Sequence, residues 1–299
     1  MNLLTTITEE QRIHMLTPPQ KRDKKIRMVL DTDAFNEIDD QFAVAYALLA
    51  KDRISLEALY AAPFFNSNSS GPADGMEKSY EELIQILKRL GQEPGGLVFR
   101  GSSSYLSGAQ NPVSRPAALD LVERARSASP DSPLYVTAIG AITNVASALL
   151  LAPDIANKIV IVWLGGHALY WKDTREFNLW QDPAASRVVL DSGVPLLLIP
   201  CLGVADHLIT TLPEINAHVR GKGEIGDFLA SHDARSDLRK RYAGCLRSER
   251  HGAACTRVRL YHVDYLVFDG ELDVDKPYDA KSQSQPARDR AQLVLHCFR

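Results

Sequence analysis

From Arg27 to Ala50 the chain reads RMVLDTDAFNEIDDQFAVAYALLA. An apolar run, Met28-Val29-Leu30, delivers Asp31, Thr32 and Asp33, and six residues later comes a second pair, Asp39-Asp40. The residues beyond that pair, from Phe42 to Leu49, are almost all apolar, so the stretch reads as strand, loop and buried helix. Side chains alternate along a strand, which points Asp31 and Asp33 to the same side. Asp39 and Asp40 fall at the helix start, where unbonded backbone N–H groups and the helix dipole favour negative charge. Four carboxylates therefore converge on the C-terminal end of one strand. Two unit charges about 4 Å apart repel by ~1 kcal/mol in water and ~4 kcal/mol at an effective dielectric near 20. A hard divalent cation with oxygen ligands removes that cost, which points to calcium or magnesium rather than zinc.

The same alternation of strand and helix continues outward from this unit. Apolar strands are expected at Ile54–Ala62, Gly96–Arg100, Leu134–Ile139, Lys158–Leu164 and Val194–Ile199. Between them lie a helix over Met76–Leu90 stopped by Gly91, one over Pro116–Ala128, one entered at Ile142-Thr143-Asn144, and one capped by Asp182-Pro183. Strands that are apolar along their whole length, alternating with helices, indicate an α/β fold with a mostly parallel, open sheet covered on both faces. Ligands in such sheets bind beyond the C-terminal strand ends. The acidic cluster, the loop at Asn66, the turn after Ile139 and the loop holding Glu176-Phe177-Asn178 all sit there.

Composition narrows the class. The 299 residues are 45% hydrophobic and 24% charged, with net charge -3 and pI near 6.2. That balance gives no electrostatic case for nucleic acid or a membrane surface. The four cysteines, Cys201, Cys245, Cys255 and Cys297, show no C-x-x-C spacing, so neither a disulfide framework nor a zinc knuckle is indicated. The N-terminus lacks the apolar core of a secretion signal and the longest apolar runs are far too short to span a bilayer, so a cytoplasmic protein is expected.

No phosphate-binding G-x-x-x-x-G-K-[ST] or G-x-G-x-x-G follows a strand, and there is no G-x-S-x-G elbow. The D-x-D after a strand also fits phosphatases of the haloacid dehalogenase type, but their pattern continues with Gly-Thr where this chain has Ala34-Phe35. Asp31-Thr-Asp33 followed by Asp39-Asp40-Gln-Phe-Ala instead resembles the signature of the nucleoside hydrolases, the inosine-uridine preferring N-ribohydrolase family. Two more residues separate the pairs than in the usual D-x-D-P-G-x-D-D, and the sequence is similar to the branch written N-E-I-D-D, with Asn36 and Glu37 in the longer loop. Ala62–Asn66, Gly140–Asn144 and Glu176-Phe177-Asn178 before Asp182-Pro183 follow in the family's order.

That resemblance implies calcium-dependent hydrolysis of the N-glycosidic bond of a ribonucleoside. It implies Ca²⁺ on Asp33, Asp40 and the backbone carbonyl of Ile139, with Asp33 also orienting and deprotonating the attacking water. Asp39 would contact the ribose 2′-hydroxyl, Glu176 and Asn178 the 5′- and 3′-hydroxyls, and Asn66 the ring; Asp31 would fix the ligands from behind. Phe64, Phe65, Trp163, Trp171 and Trp180 are candidates to stack a base, and His167 and His207 to activate the leaving group. A homodimer or homotetramer is the family's habit.

The resemblance covers residues 26–230, one domain preceded by a polar lead-in over residues 1–25. Residues 231–299 look foreign to it: basic between His232 and Arg259, polar and disordered in character from 270 to 290. The family's last calcium ligand is expected here, and the nearest candidate, Asp264 in His262-Val-Asp264, has the wrong spacing. A non-catalytic member that binds a riboside through an incomplete metal site is therefore the alternative to the hydrolase.

Overall fold

Six strands, each with apolar residues on both faces, give this chain its organising layer. They are β1 (Ile26–Thr32), β2 (Ile54–Ala61), β3 (Val98–Arg100), β4 (Leu134–Ala138), β5 (Ile159–Leu164) and β6 (Leu196–Ile199). The computed structural model describes residues 7–17, 25–232 and 257–259. The strands join in the order β3-β2-β1-β4-β5-β6, and every neighbouring pair is parallel. The sheet and its two covered faces are those expected from the sequence.

Alternate strand residues feed two separate cores. Ile159, Ile161 and Trp163 of β5 enter one core with Val29, Val136 and Leu121, while Val160, Val162 and Leu164 enter the other with Leu30, Phe42 and Leu83. The first core lies under α4 (Pro116–Arg126), α5 (Thr143–Leu151) and α7 (Pro183–Asp191); the second lies under α2 (Ile38–Leu49), α3 (Pro72–Arg89) and α9 (Gly223–His232). Trp163 is fully buried, as is Phe64, so both are core residues rather than stacking platforms. Burying a side chain of this size contributes roughly 1.5–3 kcal/mol. Helix α2 is buried from Asp39 to Leu48, which its nearly uninterrupted apolar sequence anticipates.

Strand order places the site. The chain winds outward from β1 to β3 on one side and from β4 to β6 on the other, so β1 and β4 flank the point where winding reverses. Loops leaving neighbouring strands diverge there and open a crevice at the carboxyl ends.

Several elements differ from the sequence reading. Residues 1–25 read as a polar lead-in, yet α1 (Glu9–Leu16) forms there, started by a capping box between Thr8 and Gln11. Its single buried residue is Met15, whose carbonyl accepts from the Tyr135 hydroxyl at 3.2 Å, too small a footprint to register as an apolar period. Helix α3 begins at Pro72 rather than Met76, because a polar first turn after Gly71 hides its start. Among the described residues α6 (Phe177–Gln181), α8 (Leu212–His218) and the antiparallel pair β7 (Ile209–Thr211) and β8 (Arg257–Arg259) complete the fold. No described helix is long and apolar enough to cross a membrane.

The glycine stop of α3 is as expected: Gly91 sits at φ 63 and its N–H donates to the Lys88 carbonyl at 3.1 Å. A Cβ meets no atom there, so Gly91→Ala should lose only the left-handed penalty, about 1–2 kcal/mol. Urea unfolding would read that loss, and an unchanged midpoint would contradict the conformation.

Candidate active site

Strand β1 ends with the acidic residues that its sequence promised. Asp31 and Asp40 are fully buried, Asp33 is 1% and Asp39 3% exposed. A turn closed by the Asn36 N–H on the Asp33 carbonyl at 2.7 Å carries the chain from strand to helix. Gln41 pins that turn through the Ala34 carbonyl at 3.2 Å. Asp39 and Asp40 lie in the first turn of α2, and the Thr32 hydroxyl donates to Asp40 Oδ1.

Asp31 faces away from this pair. Its Oδ2 accepts from Asn144 Nδ2 at 2.8 Å, and its Oδ1 meets no donor among the described residues. Burial pushes the Asp31 carboxyl up to about 7, and the Asn144 hydrogen bond opposes the shift. Asn144, in the first turn of α5, also donates to the Ala61 carbonyl at 3.2 Å and accepts from the Ser102 N–H and hydroxyl at 2.7 and 2.8 Å. One amide thus ties the ends of β1 and β2 and the loop after β3 together. The close approach requires Gly101, where a Cβ would stand 2.0 Å from the Ala61 carbonyl oxygen.

Ile139, the residue after β4, donates its N–H to the Asp31 carbonyl at 2.8 Å. Its own carbonyl accepts from Asn178 Nδ2 at 3.0 Å, and the same amide reaches the Leu164 carbonyl at 3.2 Å. Asn178 is therefore a strap across the ends of β4 and β5. Glu176 caps α6, with Oε1 accepting from the Asn178 N–H at 2.9 Å and Oε2 from the Leu179 and Gly166 N–H groups at 3.0 Å each. Asn66 makes an Asx turn to the Asn68 N–H at 2.8 Å and donates to Asn36 Oδ1 at 2.6 Å.

The structure thus gathers Asp31, Asp33, Asp39, Asp40, Ile139, Glu176, Asn178 and Asn66 on the strand ends, loops and helix starts at one end of one sheet. Asp264 lies outside the described residues, as do residues 233–256 of the basic run and the polar stretch from 270 to 290. His167 accepts at Nδ1 from the Leu202 N–H at 3.4 Å and lies against Trp171, while His207 is exposed on a short 3-10 turn. Of the aromatic candidates, Phe65, Trp171 and Trp180 are exposed.

Sequence reasoning passed over Tyr105, on the loop after β3. Its hydroxyl donates to Gln181 Oε1, which also accepts from the Phe65 N–H at 2.7 Å. Burial, then the charges of Asp33 and Asp182, push the Tyr105 phenol upward, so it stays neutral beside the carboxylates. Cys201, just past β6, is held up at about 12 by burial and then by the charges of Glu176, Glu37, Asp39 and Asp206. Loop residues carry no period, and neither position had a signal to find it by.

The donor set is oxygen throughout, which suits a hard cation. Behind Asp33 stands Gly140, where a Cβ would lie 2.8 Å from Asp33 Oδ1, so the absence of a side chain cradles that carboxylate. Among the described residues no three His, Cys, Asp or Glu side chains make a metal-holding group by themselves. Asp33 and Asp40 are oxygen donors of the kind a hard divalent ion takes, and the ion would need further donors such as the Ile139 carbonyl.

A parallel α/β protein with a buried acidic cluster at its switch point is the class these features define. The family model described as inosine-uridine preferring nucleoside hydrolase matches residues 28–256, and the chain belongs to that family. A pyrimidine-specific ribonucleoside hydrolase, RihB of Escherichia coli, is 31% identical over 103 residues, 33% of this chain and 33% of that protein. RihA of Citrobacter koseri is 33% identical over 84 residues, 27% of each chain. The chain thus spans about a third or less of these two relatives' length. A solved purine-preferring ribonucleoside hydrolase from Gardnerella vaginalis shares the fold, with TM-score 0.65 and 18% identity over 91% of this chain and 98% of that one.

Proposed function

We propose that the protein hydrolyses the N-glycosidic bond of ribonucleosides, releasing ribose and free base, with Ca²⁺ as its cation. The observation that carries this reading is the buried carboxylate quartet Asp31, Asp33, Asp39 and Asp40 at the sheet's switch point, in a chain of the nucleoside hydrolase family. When bound, a calcium ion supplies Lewis acidity that makes water a nucleophile near neutral pH.

Asp33 and Asp40, with the Ile139 carbonyl, would hold the ion. Asp33 orients the attacking water and takes its proton. Asp39 accepts from the ribose 2′-hydroxyl, and Glu176, Asn178 and Asn66 face the rest of the sugar. Departure of the base leaves an oxocarbenium-like sugar, and fixed carboxylates around it stabilise the positive charge as it develops. Asp31 keeps the strand end in place through Asn144 and Ile139.

Ribose release from a panel of purine and pyrimidine nucleosides, with calcium and after chelation, tests this reading. Turnover that stops on chelation and returns with calcium is expected. Nucleoside binding without release would establish the non-catalytic alternative, and neither would sink both.

Gly140→Ala gives a narrower test. Its Cβ would crowd Asp33 Oδ1 at 2.8 Å and the Ala62 Cβ at 3.0 Å, so the carboxylate must move. Calcium affinity, read by calorimetry, should fall about tenfold or more, equivalent to ~1.4 kcal/mol. Unchanged affinity would place the ion elsewhere.

A further inference from the structure

Four asparagines stand around the acidic cluster, and their amide protons are spent unequally. Asn144 Nδ2 donates to Asp31 Oδ2 and the Ala61 carbonyl. Asn178 Nδ2 donates to the Ile139 and Leu164 carbonyls. Asn66 Nδ2 donates to Asn36 Oδ1 at 2.6 Å. Asn36 is different: it is 8% exposed, and its buried Nδ2 meets no acceptor among the described residues.

The direction of the Asn36 amide follows from its neighbour. A backbone N–H cannot be reversed, and the one on Asn68 donates to Asn66 Oδ1 at 2.8 Å. Asn66 must therefore turn its nitrogen to Asn36, and Asn36 must meet it with oxygen. Both Asn36 amide protons are left over. A buried donor without an acceptor is costly and rare in native proteins, and a partner from outside the chain is one thing that removes the cost.

The surroundings are rich in acceptors of the wrong kind for a sugar's oxygens. Asp33, Asp39, Asp40 and Glu176 are carboxylates, which take the proton of a hydroxyl and leave its oxygen lone pairs unserved. We propose that Asn36 is a substrate-positioning residue whose Nδ2 donates to the oxygen of a ribose hydroxyl. The proposal rests on the riboside-hydrolysing reading of this site. Asn36 lies three residues before Asp39, and its N–H is tied to the Asp33 carbonyl at 2.7 Å, so donor and carboxylates move as one loop. The donor sits in the longer spacing between the two acidic pairs of this chain.

The test compares the full chain with Asn36→Asp and Asn36→Ala. Asn36→Asp keeps an oxygen for Asn66 but removes the donor; Asn36→Ala removes both without adding charge. The readout is KM and kcat on one accepted ribonucleoside and on its 2′-, 3′- and 5′-deoxy analogues, with Kd by calorimetry in their place if the wild type binds without turnover. Thermal unfolding verifies that each variant folds. Both variants should lose about tenfold or more in kcat/KM or affinity on the parent nucleoside. One deoxy analogue, lacking the oxygen that Asn36 serves, should be handled equally by Asn36→Asp and wild type, while Asn36→Ala should lose least on that same analogue. Equal losses on every analogue, as expected if Asn36 merely supports the Asn66 loop, would overturn the proposal, and so would an unaffected parent. A wild type that neither cleaves nor binds any riboside would instead remove the reading on which the proposal stands.

Discussion

Asp33→Ala is expected to lower kcat/KM for ribose release by at least about 10³-fold, within the range that a positioned base contributes. The same change should remove the thermal stabilisation that calcium confers, because ligand-linked stability follows the affinity for the native state. A third consequence has the opposite sign. Asp33 is 1% exposed in a cluster with Asp39 and Asp40, so its removal reduces like-charge repulsion when no cation is present. In chelator, Asp33→Ala should be at least as stable as wild type, which separates loss of chemistry from loss of fold. A variant that keeps activity within tenfold would move the catalytic base to another residue. One that unfolds in chelator would make Asp33 a structural group instead.

How much of this was legible in the sequence depends on whether a residue's role repeats along the chain. The strands and most helices were, because apolar residues every second or every third and fourth position signal which faces are buried. Asp182 was legible for a local reason: an acid before proline is a helix cap, and its Oδ1 accepts from the Ala185 N–H at 3.0 Å. Yet Oδ2 of the same residue also accepts from the Leu106 N–H and the Thr143 hydroxyl, at 2.9 and 2.8 Å, and nothing in the sequence joins those three positions. The acidic quartet was found by its density in ten residues. Asn178 and Glu176 were found by resemblance, while their use as a strap and a cap appears only in three dimensions. Asn36 shows the limit most clearly, since an unspent amide can be recognised only after every neighbour's partner is known.

Asn144→Ala should produce the largest stability loss, about 4 kcal/mol by urea unfolding in chelator. Asn144 is fully buried and serves Asp31, Ala61 and both polar groups of Ser102. Each stranded buried partner costs ~1–3 kcal/mol, and water entering the vacated space offsets part of the sum. Against a total stability of roughly 5–15 kcal/mol this is a large share. Asn144→Asp distinguishes the hydrogen bonds from the packing. Its shape is retained, and a protonated carboxyl at position 144 can still donate to Asp31 while its other oxygen accepts from Ser102. An ionised one repels Asp31. The Asp31 carboxyl is already raised from 3.8 to about 7 by burial, so its contribution to wild-type stability is full below 3.8 and is lost as pH rises through 7. A second carboxylate deepens that loss. The gap in urea midpoint between wild type and Asn144→Asp should therefore be small near pH 5 and widen toward pH 8. A gap that does not change with pH would mean that position 144 and Asp31 do not share a proton, and that the strand end is held by something other than this amide.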